Sequence, residues 1–168
     1  MGKEKADNIT LLGMPGAGKS TIGVLLAKAI NYNFLDTDLS IQQREGMLLR
    51  EIIKEKGLAE FKKIEEEVNA DVHVTRTVIA PGGSVIYGEK AMEHLVSISK
   101  VIYLKLSYQE VRKRLGNLTK RGVAFEKGQT LKDLYEERAP LYEKYADLII
   151  ETDGLDIGQV LEEVLQNL

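Results

Sequence analysis

One glycine-rich segment constrains this chain more than any other feature. Residues 13–20 read GMPGAGKS, which fits the pattern G-x-x-x-x-G-K-[ST] of a phosphate-binding loop. An apolar run of strand length leads into the segment, and an amphipathic run over residues 21–30 follows it. In this strand-loop-helix order, backbone N–H groups and the positive end of the helix converge on one anion. The segment therefore predicts a nucleotide site, with a simple glycine turn and a surface lysine as the alternative.

The residue types within the loop predict separate roles. Lys19 would reach the β- and γ-phosphates of ATP, and the hydroxyl of Ser20 would bind Mg²⁺. We predict nucleotide contacts from six consecutive residues: Gly16, Ala17, Gly18, Lys19, Ser20 and Thr21. Kinases, GTPases and motor ATPases all use such a loop, so the loop alone does not define the reaction.

Strand-like and helix-like segments alternate along the whole chain. Four further apolar runs of strand length follow the first one: residues 33–36, 77–80, 101–106 and 148–151. Parallel strands need helical crossovers, so this alternation predicts an α/β fold with a doubly wound parallel five-stranded sheet, of the P-loop NTPase or nucleoside monophosphate kinase type. We expect a single kinase domain over residues 1–168. Residues 116–129 lose the periodicity and gain Gly, Lys and Arg, which predicts a mobile lid.

Composition narrows the classes of partner. The 168 residues carry a net charge of -3, so a general binder of nucleic-acid backbone is not expected. There is no apolar run long enough for a membrane helix and no apolar stretch near the N-terminus of the kind that a secretory signal needs. Cysteine is absent, which excludes disulfides and Cys nucleophiles and fits a reducing cytoplasm. We expect a cytoplasmic monomer whose partner is a small-molecule substrate.

Two aspartates follow the second predicted strand. Asp36 and Asp38 should lie at the carboxyl end of the sheet, where open α/β folds bind ligands. Asp38 could take a proton from an attacking hydroxyl, and Asp36 could hold a water bound to Mg²⁺. The alternative is that one of the two merely caps the following helix.

The run FLDTD over residues 34–38, with Gln43, Arg44 and Gly46, resembles the shikimate kinase family, and the likeness extends almost from end to end. Residues 61–65 (FKKIE) stand where that family has Phe-Arg-x-x-Glu, and residues 81–84 (PGGS) stand in place of its triple glycine. Residues 137–142 (ERAPLY) match the helix that brings a second substrate-binding arginine, Arg138.

The resemblance implies transfer of the γ-phosphoryl group of ATP to shikimate, giving shikimate 3-phosphate in aromatic amino acid biosynthesis. It implies Asp38, Lys19 and Arg121 as catalytic residues, with Arg114 against the adenine and Arg121 on a lid over the phosphates. The substrate contacts implied are Asp38, Lys62, Gly82, Gly83, Ser84 and Arg138. Ser20 and Asp36 are the implied metal residues, with ATP and Mg²⁺ as cofactors.

Three departures from the family pattern lie near the acceptor. Lys62 replaces an arginine, so a planar two-point grip on a carboxylate becomes a one-point contact. Ser84 adds bulk where the family has glycine, and Gly122 replaces a proline after the lid arginine. The alternatives are therefore a kinase for another polyhydroxy substrate, such as a gluconate- or quinate-like acid, and a nucleotide-binding switch without a small acceptor.

Overall fold

The computed structural model describes residues 7–116 and 126–168. Within these residues five strands form one sheet: β1 (Ile9–Leu12), β2 (Asn33–Asp36), β3 (Thr77–Ala80), β4 (Lys100–Lys105) and β5 (Leu148–Glu151). The strands lie in the order β2-β3-β1-β4-β5, and every adjacent pair is parallel. The predicted α/β fold is confirmed, and three of the strand predictions match residue for residue.

Helices connect consecutive strands, as parallel pairing requires. Their bounds are α1 (Lys19–Ile30), α2 (Thr37–Glu45), α3 (Leu49–Lys56), α4 (Leu58–Ala70), α5 (Glu89–Ile98), α6 (Tyr108–Arg114), α7 (Leu131–Tyr145) and α8 (Ile157–Gln166), with a short 3-10 turn at Val85–Tyr87. The expected capping box opens α7, since Thr130 and Asp133 exchange side-chain to backbone hydrogen bonds. No helix in the described part of the chain has the length and apolar content to cross a membrane.

Apolar side chains alternate between the two faces of the sheet. Leu12 and Ile79 belong to one buried cluster, whereas their neighbours Leu11 and Val78 belong to the cluster on the opposite face. Both faces are therefore covered, which explains why the strands are near-continuous apolar runs.

A third and smaller cluster lies among α2, α3 and α4, beyond the β2 edge of the sheet. Its buried members are Ile41, Ile52, Phe61 and Ile64. The loops after β1, β2 and β3 open at the carboxyl edge of the sheet. The connection that leaves β1 runs towards β2 at one side of the sheet, and the connection that leaves β3 runs towards β4 on the other side, so a crevice for ligands is expected between β1 and β3. This edge, closed on one side by the α2–α4 cluster, is where the candidate site lies.

Candidate functional site

The loop between β1 and α1 has the geometry of an anion cradle. Gly18 is the N-cap of α1 with φ of 88°, a left-handed conformation that favours glycine, and no side chain caps the helix. The first N–H groups of α1 are thus left for a ligand, together with the positive end of the helix dipole. Lys19 Nζ donates to the carbonyl oxygens of Gly13 at 2.7 Å and Met14 at 3.0 Å. Burial lowers the pKa of Lys19 to about 8.

The side chains of Ser20, in the first turn of α1, and Asp36, at the end of β2, are in direct contact. The Ser20 hydroxyl donates to Asp36 Oδ2 at 3.1 Å, while Asp36 Oδ1 accepts from the backbone N–H groups of Asp38 at 2.9 Å and Leu39 at 3.4 Å. Asp36 is therefore the N-cap of α2, which was the alternative interpretation, and it is also the hydrogen-bond partner of Ser20.

A hydroxyl and a carboxylate side by side at a phosphate loop are hard oxygen donors of the kind Mg²⁺ prefers. In residues 7–116 and 126–168, no group of three or more His, Asp or Glu side chains is arranged to hold a metal. Ser20 and Asp36 are the side chains at this loop that could contribute to holding a magnesium ion.

Asp38 presents an open carboxylate oxygen to the site. Its Oδ1 is buried and has no hydrogen-bond partner within the described residues. The pKa of Asp38 is raised to about 6, first by burial and then by the charge of Asp36, while the Lys19 charge opposes the shift. A half-buried carboxyl with a pKa near neutrality suits a group that takes a proton from an alcohol.

These groups line one cleft of about 280 Å³. The predicted residues on its wall are Gly16, Gly18, Lys19, Ser20, Thr21, Asp38, Gly82, Gly83, Ser84 and Arg138. Ala17, within the loop, is buried and does not line the cleft. Asp36 does not line it either, but it accepts a hydrogen bond from Ser20, which does. A cavity of this size, with an anion cradle at one end and polar groups at the other, can hold a terminal phosphate and a small hydroxylated molecule.

Arg138 brings a cation to the acceptor end of the cleft. The side chain is 1% exposed, and its Nε donates to Tyr87 Oη at 3.4 Å. The same guanidinium lies close to Gly83, because a Cβ built there would be 3.0 Å from Nη1. Tyr142, also on α7, donates to the Gly83 carbonyl at 2.6 Å and fixes the loop against this arginine.

Lys62 does not line the cleft. Its Nζ lies 4.3 Å from the centre of the Tyr87 ring and 3.7 Å from Glu126 Oε1, in an adjoining pocket of about 210 Å³. Arg114 also stands outside the cleft wall, but its Nη1 donates to the Gly16 carbonyl at 3.0 Å, beside the phosphate loop. Arg121, Gly122 and most of the predicted lid lie outside the described residues.

Among the charged residues on the cleft wall, Glu65 is the one for which the sequence predicted no role. It is 2% exposed, lines the cleft, and accepts a hydrogen bond from Ser84 Oγ at 2.6 Å. The available signal was its position as the last residue of the 61–65 segment, four residues after the buried Phe61 and hence on the same helical face.

The family model for shikimate kinase matches residues 15–168. The chain belongs to the shikimate kinase family. A shikimate kinase of Thermodesulfovibrio yellowstonii is 35% identical over 162 residues, covering 95% of this chain and 93% of that protein. A shikimate kinase of Mycobacterium avium is 36% identical over 166 residues, covering 97% and 94%. This chain is accordingly a small-molecule kinase that uses ATP.

Solved structures agree with this family assignment. The shikimate kinase from Acinetobacter baumannii in complex with shikimate has a TM-score of 0.88 and 30% identity, covering 98% of this chain and 93% of that one. A deoxyadenosine kinase from M. mycoides with bound dATP has a TM-score of 0.65 at 18% identity, which shows a shared fold only. The predicted α/β fold of the P-loop NTPase type is thereby confirmed.

Proposed function

We propose that this chain phosphorylates shikimate at its 3-hydroxyl with ATP as the phosphoryl donor. The observation that carries the proposal is the open carboxylate oxygen of Asp38, in the same cleft as the phosphate loop and Lys19. The shikimate kinases that match nearly the whole chain, and the shikimate-bound structure from A. baumannii, support the choice of acceptor.

In the proposed reaction, the oxygen of the 3-hydroxyl attacks the γ-phosphorus of ATP while Asp38 accepts the proton of that hydroxyl. The bond between the γ-phosphorus and the ADP oxygen breaks in the same step. Lys19 and the N–H groups of residues 16–21 hold the phosphates and stabilise the charge on the transferred group. Arg121 is proposed to add a further positive charge, and Arg114 to pack on the adenine.

Mg²⁺, held by Ser20 and by a water on Asp36, would supply charge neutralisation on the phosphate oxygens when bound. At the other end of the cleft, we assign Arg138 to the shikimate carboxylate and the backbone N–H groups of residues 82–84 to the ring substituents. Lys62 lies against the same Tyr87 ring as Arg138, and its side chain would need to turn into the cleft to reach the carboxylate. We also propose that residues 116–129 form a lid, that the protein is cytoplasmic and that it is a monomer. Light scattering would test the monomeric state.

The proposal is tested by Asp38→Asn, which keeps the shape of the side chain and removes the base. Shikimate-dependent ADP release should fall about 10²- to 10⁴-fold, the usual contribution of a general base. ATP affinity by calorimetry should stay nearly unchanged, because Asp38 lies beyond the phosphate cradle. Retention of full turnover in this variant would contradict the assignment of Asp38.

The position of Lys62 favours a second candidate, a kinase for another small polyhydroxy substrate whose binding depends less on a carboxylate; gluconate- and quinate-like acids are the other acceptors to compare. With Lys62 outside the cleft, a carboxylate at the far end would be held less firmly than by two cations. ADP release across a panel of hydroxy acids, including quinate, gluconate and a decarboxylated shikimate analogue, separates the two. No turnover with shikimate, alongside turnover with one of the others, would replace the first proposal by the second.

A further inference from the structure

The phenol of Tyr142 lies where the acceptor end of the cleft meets the phosphate loop. Its Oη donates to the carbonyl oxygen of Gly83 at 2.6 Å, and the same Oη lies 3.9 Å from Sδ of Met14. Gly83 belongs to the loop after β3 that lines the cleft, whereas Met14 belongs to the phosphate loop. One hydroxyl group therefore contacts both loops, and the side chain that carries it is 0% exposed.

The same hydroxyl is hydrogen-bonded to Arg138, one turn earlier on α7. Because its proton is directed at the Gly83 carbonyl, the phenol oxygen accepts from the guanidinium, which has only donors. Both groups lie close to Gly83, since a Cβ built there would be 3.0 Å from Arg138 Nη1 and 3.2 Å from Tyr142 Oη. Tyr87 Oη also accepts from Arg138, so two hydroxyl groups help to fix the orientation of this buried cation.

The central strands of the sheet hold the Tyr142 ring. It packs against the ring of Tyr103 on β4, with the two ring centres 5.0 Å apart. Tyr103 is in register with Leu12 on β1, the residue immediately before the phosphate loop. The acceptor loop also packs directly on the phosphate loop, because the Cβ built on Gly83 would be 3.0 Å from Cδ of Pro15. The Tyr142 hydroxyl is thus fixed relative to the phosphate loop, and it in turn holds the acceptor loop.

We propose that the Tyr142 hydroxyl is a positioning group that sets the place of the acceptor relative to the γ-phosphate. It does so by holding the Gly83 carbonyl and the Arg138 guanidinium at a fixed distance from the phosphate loop. This inference rests on the proposed function. Tyr142 is not on the cleft wall, so it acts on the acceptor only through these two groups. In-line transfer needs the attacking oxygen close to the phosphorus and correctly aligned, and a small displacement of the acceptor is therefore costly.

Tyr142→Phe tests the proposal, because it removes the hydroxyl and keeps the ring beside Tyr103. With shikimate, kcat should fall about 10- to 100-fold, as expected for a misplacement of the acceptor by up to about 1 Å. The KM for shikimate should rise by roughly 2- to 10-fold, since Arg138 loses one of its hydrogen-bond partners. ATP affinity by calorimetry should stay within about twofold of wild type, because the N–H groups and Lys19 that hold the phosphates are unchanged.

Tyr135→Phe is the matched control. Tyr135 lies on the same helix, and its Oη donates to the carbonyl oxygen of Leu106 at 2.7 Å, a bond of the same type outside the cleft. Its loss should lower Tm, as the loss of the Tyr142 hydroxyl does, but leave kcat and both KM values at wild-type levels. Tyr103→Phe is a second control with the same expected kinetics, because it removes a buried hydroxyl that has no partner in the described residues and keeps the ring against Tyr142.

Wild-type kcat and KM in Tyr142→Phe, with only a lower Tm as in Tyr135→Phe, would overturn the inference, because the bond would then be merely structural. A fall in kcat shared by Tyr103→Phe would also overturn it, since ring packing would then be responsible. The stoichiometry of ATP binding in the calorimeter gives the folded fraction of each variant. Turnover is therefore expressed per folded molecule, and the test holds if Tyr142→Phe folds poorly. Failure of the proposed function is a distinct result, because wild type itself would then show no turnover with shikimate.

Discussion

The closeness of Gly82 to both carboxylates makes Gly82→Ala the sharpest test of the acceptor site. The added methyl would lie 2.7 Å from Asp38 Oδ1 and 2.9 Å from Glu65 Oε2, each well inside ordinary van der Waals contact. Gly82 does not have a positive φ, so the backbone itself tolerates alanine. The effect of the substitution therefore comes from the methyl group in the cleft and not from backbone strain.

The expected loss of stability and turnover depends on which side chains must move to make room for the methyl group. Moving the Glu65 carboxylate away strains its 2.6 Å hydrogen bond with Ser84, whereas Asp38 Oδ1 has no hydrogen-bond partner in the described residues, so the Asp38 carboxylate is the group that the methyl displaces. Overpacking of this kind typically costs about 1–3 kcal/mol, which corresponds to a Tm lower by roughly 2–12 °C for a chain of this length. A displacement of the reacting groups by about 1 Å costs on the order of 100-fold in turnover, so kcat with shikimate should fall by about that factor.

The assay is shikimate-dependent ADP release, with ATP affinity measured by calorimetry and Tm by circular dichroism. ATP affinity should be nearly unchanged, since the three atoms nearest to the new methyl belong to Asp38 and Glu65 and none to the phosphate loop. Gly158→Ala on α8 is the control, because it adds a methyl far from the cleft and should leave kcat unchanged. Wild-type kcat and KM for shikimate in Gly82→Ala would refute the placement of the acceptor between these carboxylates.

Two further predictions concern charge at the two ends of the cleft. The pH profile of kcat/KM should be bell-shaped: it falls as pH drops through about 7 to 6, where Glu65 and then Asp38 gain a proton in the same cleft, and again as pH rises through about 8, where Lys19 loses one. A profile that stays flat from pH 5 to 9 in the free enzyme would contradict both roles. Arg138→Lys should raise the KM for shikimate by roughly 10- to 100-fold, because the planar fork becomes a point charge. It should leave the KM for ATP unchanged, and an equal increase for a decarboxylated analogue would show that Arg138 acts on something other than the carboxylate.

Much of the fold could be predicted because its signals are local. Strands buried on both faces are apolar runs that the sequence displays directly, and β2, β3 and β5 match their predicted bounds. The end of α4 could not be predicted in the same way. The apolar spacing continues through Val72, but the helix ends at Ala70. Val72 instead packs in the buried cluster that contains Leu12 and Ile79, and its carbonyl oxygen is hydrogen-bonded to His94 Nε2. Tertiary packing decides that boundary, and periodicity cannot report it.

The phosphate loop could be predicted from the sequence, whereas most of the acceptor contacts could not. The phosphate loop is eight consecutive residues, so its geometry follows from their order, and Lys19 and Ser20 lie where the motif predicts. The acceptor contacts come from segments far apart in sequence, and their roles depend on which neighbour each side chain finds. Lys62 lies against Tyr87, which is connected to the α7 helix by a hydrogen bond to Glu137. Nothing in the 61–65 segment alone could indicate that contact.

The packing of the acceptor side explains how the departures from the family pattern can be tolerated. The helices α2, α3 and α4 enclose their own apolar cluster, separate from the two clusters that flank the sheet. Ser84 hydrogen-bonds to α4 through Glu65, so a change at position 84 is transmitted to the wall of the cleft. Substitutions confined to the α2–α4 cluster can therefore change substrate selectivity with little effect on Lys19, whereas changes at Gly83 would reach the phosphate loop, because Gly83 lies beside Pro15 and Tyr142 contacts both Gly83 and Met14.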